Sequence, residues 1–331
     1  MIQGEITKER MEGWKFDSSC EEGFHEIIAP GKADCEQEYI YRLNLSAGKN
    51  FDLETGKLEM DAVCIKGAAD FSWDGYAGTC DKLDSFYVVS NMKVHITAKE
   101  DCIFYIAGAV DEGYGKPFFR KCDLTMPIGE IHQIHGSGVS QREVFMTIDP
   151  GTASSRLLVG LTWGGNGAWT SWPPHEHEKD LEEVYCYFDM DDPHFGLHLS
   201  YVEPGDTHGV VAHTVKSGTM ILAPRGYHPT VAAPGTRNTY LWVLAAHSHK
   251  SRRYDLAVLA PSGRTLPPAA RSLPLRNMCW RAAAWYTALP WTAISICGTS
   301  PASGKRICGG CGEPSTFRAI WTACSGRSGR C

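Results

Sequence analysis

The chain has 331 residues, 43% of them hydrophobic and 21% charged, which excludes a disordered, collagen-like or coiled-coil protein. A formal net charge of −6 disfavours nucleic acid as a partner. No apolar run reaches a membrane span, since the nearest approach, residues 282–297, is broken by Thr287, Pro290, Thr292 and Ser295. The opening MIQGEITKERMEGW lacks a basic region followed by an apolar core, so no secretory signal is expected and a cytoplasmic location is.

Along the chain the texture is all-β. EYIYRLNL (38–45), MDAVCIKG (60–67), SFYVVS (85–90), KVHITA (93–98) and CIFYIAGAV (102–110) are rich in β-branched and aromatic residues. A second set comprises EVFMTID (143–149), SRLLVGLTW (155–163), EVYCYFDM (183–190), GLHLSYVE (196–203), GTMILAP (218–224) and YLWVLAA (240–246). Turn clusters such as SAGKN, WDGYAG, WGGNG and APGTRN separate them. A Gly/Ser hinge, Gly136 to Ser140, divides the two sets. Two groups of short strands imply two jelly-roll barrels, with domains at 1–135 and 136–260.

Residues 261–331 break from this composition. They hold six of the 13 cysteines and four of the ten tryptophans, but no Asp and no His. Their net charge is +8, which leaves −14 on the first 260 residues. Cys308 and Cys311, with Cys324 and Cys331, could supply four thiolates to zinc, but the spacing is loose and no histidine joins them. A disulfide framework has no secretion signal behind it. Loss of Asp and His with gain of Arg, Cys, Trp and Ser is what a shifted reading frame in a GC-rich gene would produce. The tail is therefore expected to be poorly structured and foreign to the fold.

The informative stretch is SWPPHEHEKDLEEVYCYF. His175 and His177 are two apart, so an extended strand points both to one face and Glu176 to the other. Glu182 or Glu183 opens the next strand, and Gly218 to His228 delivers a third histidine after a Pro224-Arg225-Gly226 turn. Three imidazoles and a carboxylate suit a divalent transition metal and leave coordination positions open, as catalysis requires.

This pattern resembles the cupin signature, though five residues separate His177 from Glu183 where three or four are usual. Spacing alone favours Glu182. The habit of cupins, in which the ligating Glu directly precedes the apolar strand, selects Glu183 with His175, His177 and His228. Together with GSGVSQREV (136–144), APRGYHPTVAAPG and YLWVLA, these motifs are similar to the 5-deoxy-glucuronate isomerase family of myo-inositol catabolism, over about residues 15–258. Its sister family is the 5-keto-4-deoxyuronate isomerases of pectin breakdown.

The resemblance implies a bicupin, two double-stranded β-helix barrels of which the second carries the metal. His25, His95, His132 and His135 then read as structural, and His247-Ser-His249 as a mimic without a carboxylate or third histidine. It also implies an aldose–ketose isomerase acting on a small sugar acid, with one divalent metal (zinc or manganese, with iron as an option), in an expected homo-oligomer. Candidates for moving the proton are Glu182, if it is not the ligand, and a metal-bound water. Tyr185, Tyr187 or Tyr227 could give acid or hydrogen-bonding help. A substrate carboxylate calls for Arg225 or Arg142, and His198 is placed to face the barrel interior. A cupin iron dioxygenase and a non-catalytic sugar-binding cupin are the competing readings. On the frame-shift reading, resequencing finds a change of frame near Pro261, and a chain ending near residue 260 keeps its full turnover. An intact frame there would overturn that reading.

Overall fold

The structure is a computed structural model in which residues 2–261 are described. It is built almost wholly of strands. The first are β1 (Lys15–Asp17), β2 (Gly23–Ile28), β3 (Tyr39–Leu45), β4 (Asn50–Glu54), β5 (Leu58–Lys66), β6 (Ala69–Trp73), β7 (Tyr76–Cys80), β8 (Ser85–Val88), β9 (Lys93–Ala98), β10 (Cys102–Val110) and β11 (Phe118–Arg120). After a linker come β12 (His132–His135), β13 (Arg142–Ile148), β14 (Leu157–Asn166), β15 (Trp169–Thr170), β16 (His175–Glu176), β17 (Leu181–Tyr187) and β18 (Gly196–Ser200). The last are β19 (Val211–Val215), β20 (Thr219–Ala223), β21 (Thr230–Ala232), β22 (Arg237–Ala246) and β23 (Val258–Leu259).

These strands close into the two expected barrels. In the first, the sheet β11-β8-β5-β10-β3-β2 faces β4-β9-β6-β7 across an interior of Leu43, Phe71, Phe86, Phe104 and Ile106. In the second, β1-β20-β17-β22-β14-β13-β12 faces β15-β21-β18-β19 across Met146, Leu158, Tyr185, Tyr240 and Trp242. The two large sheets also pack on each other. Val63, Ile65, Tyr105 and Ala107 of one share a core with Val159, Leu161, Val184, Cys186, Leu241 and Val243 of the other. That explains why β5, β10, β17 and β22 are buried along nearly their whole length: both faces are covered, one in a barrel and one between barrels. By contrast β9 alternates, because one of its faces meets water.

The domain boundary at residue 135 does not describe the pairing. β1 lies in the second barrel's sheet, where Lys15, Phe16 and Asp17 pair with Ile221, Met220 and Thr219. β12 also belongs there, paired with β13. β11, the last strand before the linker, stays with the first barrel and pairs with β8. Each three-residue strand covers a sheet edge that would otherwise be open. Strands that short carry no period long enough to reveal their partner from sequence. The atypical segment, with its Cys308 and Cys311, lies outside the described residues beyond Pro261.

Two fully buried carboxylates lock the barrels together. Glu59, at the start of β5, accepts from the backbone N–H groups of Ser155 (2.6 Å), Arg156 (2.6 Å) and Leu157 (2.9 Å) and from the Tyr87 hydroxyl. Glu182, at the start of β17, accepts in return from Glu36 N (2.9 Å) and Gln37 N (2.8 Å). Burying an unpaired N–H costs about 1–3 kcal/mol, so Glu59→Ala, which strands three, is expected to lower stability by roughly 3 kcal/mol or more. Denaturant unfolding of the variant against the parent measures this, and a loss under 1 kcal/mol would contradict it.

Candidate metal centre

The site grows from the phase of β17. Val184 and Cys186 face the shared core, whereas Tyr185 and Tyr187 face the barrel interior. Glu183 therefore points inward with the tyrosines, and Glu182 points outward to the other barrel. His175 opens β16, and His177 follows in a turn where its carbonyl accepts from Asp180 N and Leu181 N, both at 3.0 Å. That turn absorbs the longer spacing to Glu183. Gly226, in the left-handed region at φ +79°, shapes the turn bearing His228, and a Cβ there would come within 2.6 Å of Tyr201 O.

These elements bring His175, His177 and His228 together, with ligand atoms all within 4.8 Å of one another. Glu183 Oε2 lies 3.1 Å from His177 Nε2 and 3.0 Å from His228 Nε2. The other ring nitrogens are held by backbone carbonyls. His175 Nδ1 donates to Pro173 O at 2.9 Å, His177 Nδ1 to Leu181 O at 3.1 Å and His228 Nδ1 to Gly226 O at 2.9 Å. Each imidazole thereby turns Nε2 to the centre, the arrangement that metal-ligating histidines adopt, and His177 Nε2 is hydrogen-bonded there to Glu183 Oε2. His228 Nε2 is buried without a hydrogen-bond partner, because Glu183 stands out of line for one. A divalent cation fits this donor set and would satisfy that nitrogen.

The electrostatics agree. Desolvation, helped by His228 and His177, lowers the His175 pKa to about 3 and keeps its ring neutral. Burial alone would raise Glu183, but the hydrogen bond from His177 and the nearness of His177 and His228 hold it well below the usual carboxylate range. Burial likewise opposes a charged His177, and its bond to Glu183 outweighs that and raises it. A neutral imidazole and an ionised carboxylate are the forms that bind metal, so a cation entering the centre would displace the proton that Glu183 favours on His177.

The other expected residues are placed unequally. Tyr185 packs against His228 with ring centroids 5.8 Å apart and donates its hydroxyl to Ser171 Oγ at 3.0 Å. Tyr187 lies deeper, bonded at 2.9 Å to both His198 Nδ1 and Thr230 Oγ1. His198 faces the interior and is fully buried. Arg142, half-buried at the start of β13, reaches only Ser140 O (3.4 Å), and no ion pair involves it among the described residues. Its charge nevertheless acts on Tyr240, on the interior wall.

Three placements correct the expectation. Glu182 is spent on the backbone of residues 36 and 37, on the far face of β17, and has no route to a proton at the centre. Arg225 is turned outward by its strand-end position and pairs with Glu178 at 2.7 Å. Tyr227 stacks on Tyr201 with centroids 5.4 Å apart, outside the histidine cluster. Sequence reasoning also missed Ser171 and Thr230, which orient the two tyrosines. Only the pairing of distant strands reveals them. The presumed mimic divides: His249 stacks on Tyr114, and His247 lies beside Glu36 and Glu182, away from the centre.

Fold and site together define a double-barrel cupin with a three-histidine, one-carboxylate centre. Residues 17–258 match the model of the KduI/IolB family, and the chain belongs to that family. Proteins named 5-deoxy-glucuronate isomerase are similar to it. That of Geobacillus kaustophilus is 29% identical over 219 residues, covering 61% of this chain and 76% of its own. That of Bacillus licheniformis is 33% identical over 233 residues, covering 63% and 81%. The family and these relatives make the protein an isomerase. A crystal structure of an IolB-like protein from Salmonella typhimurium shares the fold at TM-score 0.62 and 22% identity, covering 71% of this chain and 94% of that one. Oxalate decarboxylase of Bacillus subtilis does so at TM-score 0.52 and 13% identity, covering 74% and 78%. That second likeness speaks of fold alone. No helix among the described residues is long and apolar enough to cross a membrane.

Glu183→Gln and His228→Ala are expected to lose bound metal while keeping the folded state. Glu182→Gln should keep metal at full stoichiometry and lose stability. Elemental analysis and thermal melting of the three variants check both halves, and metal loss confined to Glu182→Gln would reverse the assignment.

Proposed function

We propose that the protein converts 5-deoxy-glucuronate to its 2-keto isomer, 5-dehydro-2-deoxy-gluconate, in a metal-dependent step of myo-inositol catabolism. The observation that carries this reading is the convergence of three imidazole Nε2 atoms on Glu183, in a family whose relatives bear that enzyme's name. Moving a carbonyl from C1 to C2 removes a carbon-bound proton, which needs stabilisation of charge on the adjacent oxygens. A divalent metal held by His175, His177, Glu183 and His228 supplies that Lewis acidity, and zinc, manganese or iron suits the donors.

The chain's own residues do the remaining work. Burial and the nearby Glu183 charge hold Tyr185 protonated, and a substrate oxygen beside the cluster would take its hydroxyl proton in exchange for the bond to Ser171 Oγ. It is the one proton-handling tyrosine of the three candidates that packs against a ligand histidine. Arg142 carries an uncommitted guanidinium whose planar fork matches a carboxylate, and Arg225 does not, being held by Glu178. The arrangement of Arg142 and the metal ligands at one barrel suits a substrate with a carboxylate at one end and a carbonyl at the other.

Turnover of 5-deoxy-glucuronate, lost on chelation and restored by zinc or manganese, tests this reading. It should persist under strictly anaerobic conditions, because isomerisation consumes no oxygen, whereas a dioxygenase would stop. A higher kcat/KM for 5-keto-4-deoxyuronate would move the assignment to the pectin-pathway sister. A charge-assisted hydrogen bond contributes about 1.5–3 kcal/mol, so Arg142→Ala should raise KM by roughly ten- to a hundredfold. Arg225→Ala should leave KM near the parent value, and the opposite pattern would exchange their roles.

A further inference from the structure

We propose that Ser200 and His198, two residues apart on β18, form a hydroxyl-reading strip beside the metal centre that takes an open-chain polyhydroxy acid. This deepens the isomerase reading and rests on it for the choice of substrate. β18 buries Gly196, His198 and Ser200 on one face and turns Leu197 and Leu199 towards solvent. Its register against the neighbouring segment sets His198 opposite Thr230 and Tyr201 opposite Tyr227. Ser200 therefore stands opposite His228, a metal ligand.

Three polar atoms on this patch lack partners: Ser200 Oγ, His198 Nε2 and His228 Nε2. Ser200 is 2% exposed and His198 0%, so water does not solvate them from outside. Orphaned buried polar atoms are rare in folded proteins and costly, and a group of them on one inward face marks a place that a ligand fills. The metal would satisfy His228. Ser200 and His198 remain, about 7 Å apart along the strand, within the reach of a six-carbon chain.

The hydrogen-bond chain behind His198 decides what its free nitrogen does. Thr230 gives its proton to Leu197 O at 3.0 Å, so its oxygen accepts from the Tyr187 hydroxyl at 2.9 Å. Tyr187 has then spent its proton, and its oxygen accepts from His198 Nδ1–H at 2.9 Å. His198 Nε2 is left as a bare lone pair, an acceptor for a sugar hydroxyl. Ser200, with a rotatable hydroxyl, serves the oxygen nearest the metal. A substrate without a hydroxyl at the His198 position leaves that lone pair desolvated and unpaired, which is how a site discriminates.

The test uses the full, metal-loaded chain with Ser200→Ala, His198→Phe and His198→Gln. Metal content and thermal melting should match the parent, while kcat/KM for 5-deoxy-glucuronate falls about tenfold or more in Ser200→Ala and His198→Phe. His198→Gln, which keeps an acceptor, should recover part of the loss. D-Glucuronate as a competitive inhibitor should weaken in parallel, and the His198→Phe penalty should vanish for either its 3-deoxy or its 4-deoxy analogue. Rates within twofold of the parent, or one uniform penalty across all analogues, overturn the strip and leave the isomerase reading intact. If the parent turns over no uronate, the isomerase reading fails instead. Calorimetric titration of D-glucuronate then decides the strip: a Kd weakened tenfold in the variants supports it, and equal affinities or no binding to the parent overturn it. Should His198→Phe not fold, Ser200→Ala and His198→Gln carry the same comparison.

Discussion

Everything in this molecule depends on the face-to-face packing of two large sheets, held by reciprocal buried carboxylates. Glu59 and Glu182 occupy matching places, each at the start of the third strand of its sheet. Each accepts backbone N–H groups from the segment that leads into the fifth strand of the other barrel. A carboxylate fully removed from water survives there because several donors converge on it. The sheet edges lack that symmetry, since β1 crosses to the second barrel while β11 closes the first. The second barrel takes one strand from ahead of the first, and the apolar face between them is complete only when both are present.

That packing is what makes the candidate metal centre possible. Glu182 and Glu183 are adjacent on one strand, chemically alike, and sent to opposite faces by the pleat. One holds the barrels together and the other meets His177 and His228. Because the outer face of β17 is committed to the shared core through Val184 and Cys186, the strand cannot slip by one residue without exposing Cys186 to the barrel interior and burying Tyr185 between the sheets. The register that seals the core also fixes the carboxylate among the histidines.

Preparation of the centre lies mostly in the backbone. Carbonyls of Pro173, Leu181 and Gly226 each accept one ring N–H and so turn Nε2 of every imidazole towards the centre. Two of those carbonyls lie two residues before their histidine, in turns written by Pro173-Pro174 and Gly226. The interior beyond is polar but orderly, with Ser171 and Thr230 orienting Tyr185 and Tyr187. A constellation of this kind owes its geometry to turns and strand phase and owes its chemistry to a few side chains.

The sequence by itself determined the all-β class, the two sets of strands and the three histidines of the candidate metal centre. Each of these is a local signal: β-branched runs, a His-x-His on one face of an extended segment, a Pro-x-Gly turn before His228. It was equally clear about where the composition breaks. What it could not decide was anything that depends on which strands are neighbours. The destination of β1, the engagement of Arg225 by Glu178 and the withdrawal of Glu182 into the inter-barrel clasp all join residues far apart in the chain. So does the placement of Ser200 opposite His228. Periodicity reports the two faces of a strand but not what each face meets. For β17 both faces are buried, and only tertiary packing distinguished the carboxylate that holds the fold from the one that serves the site.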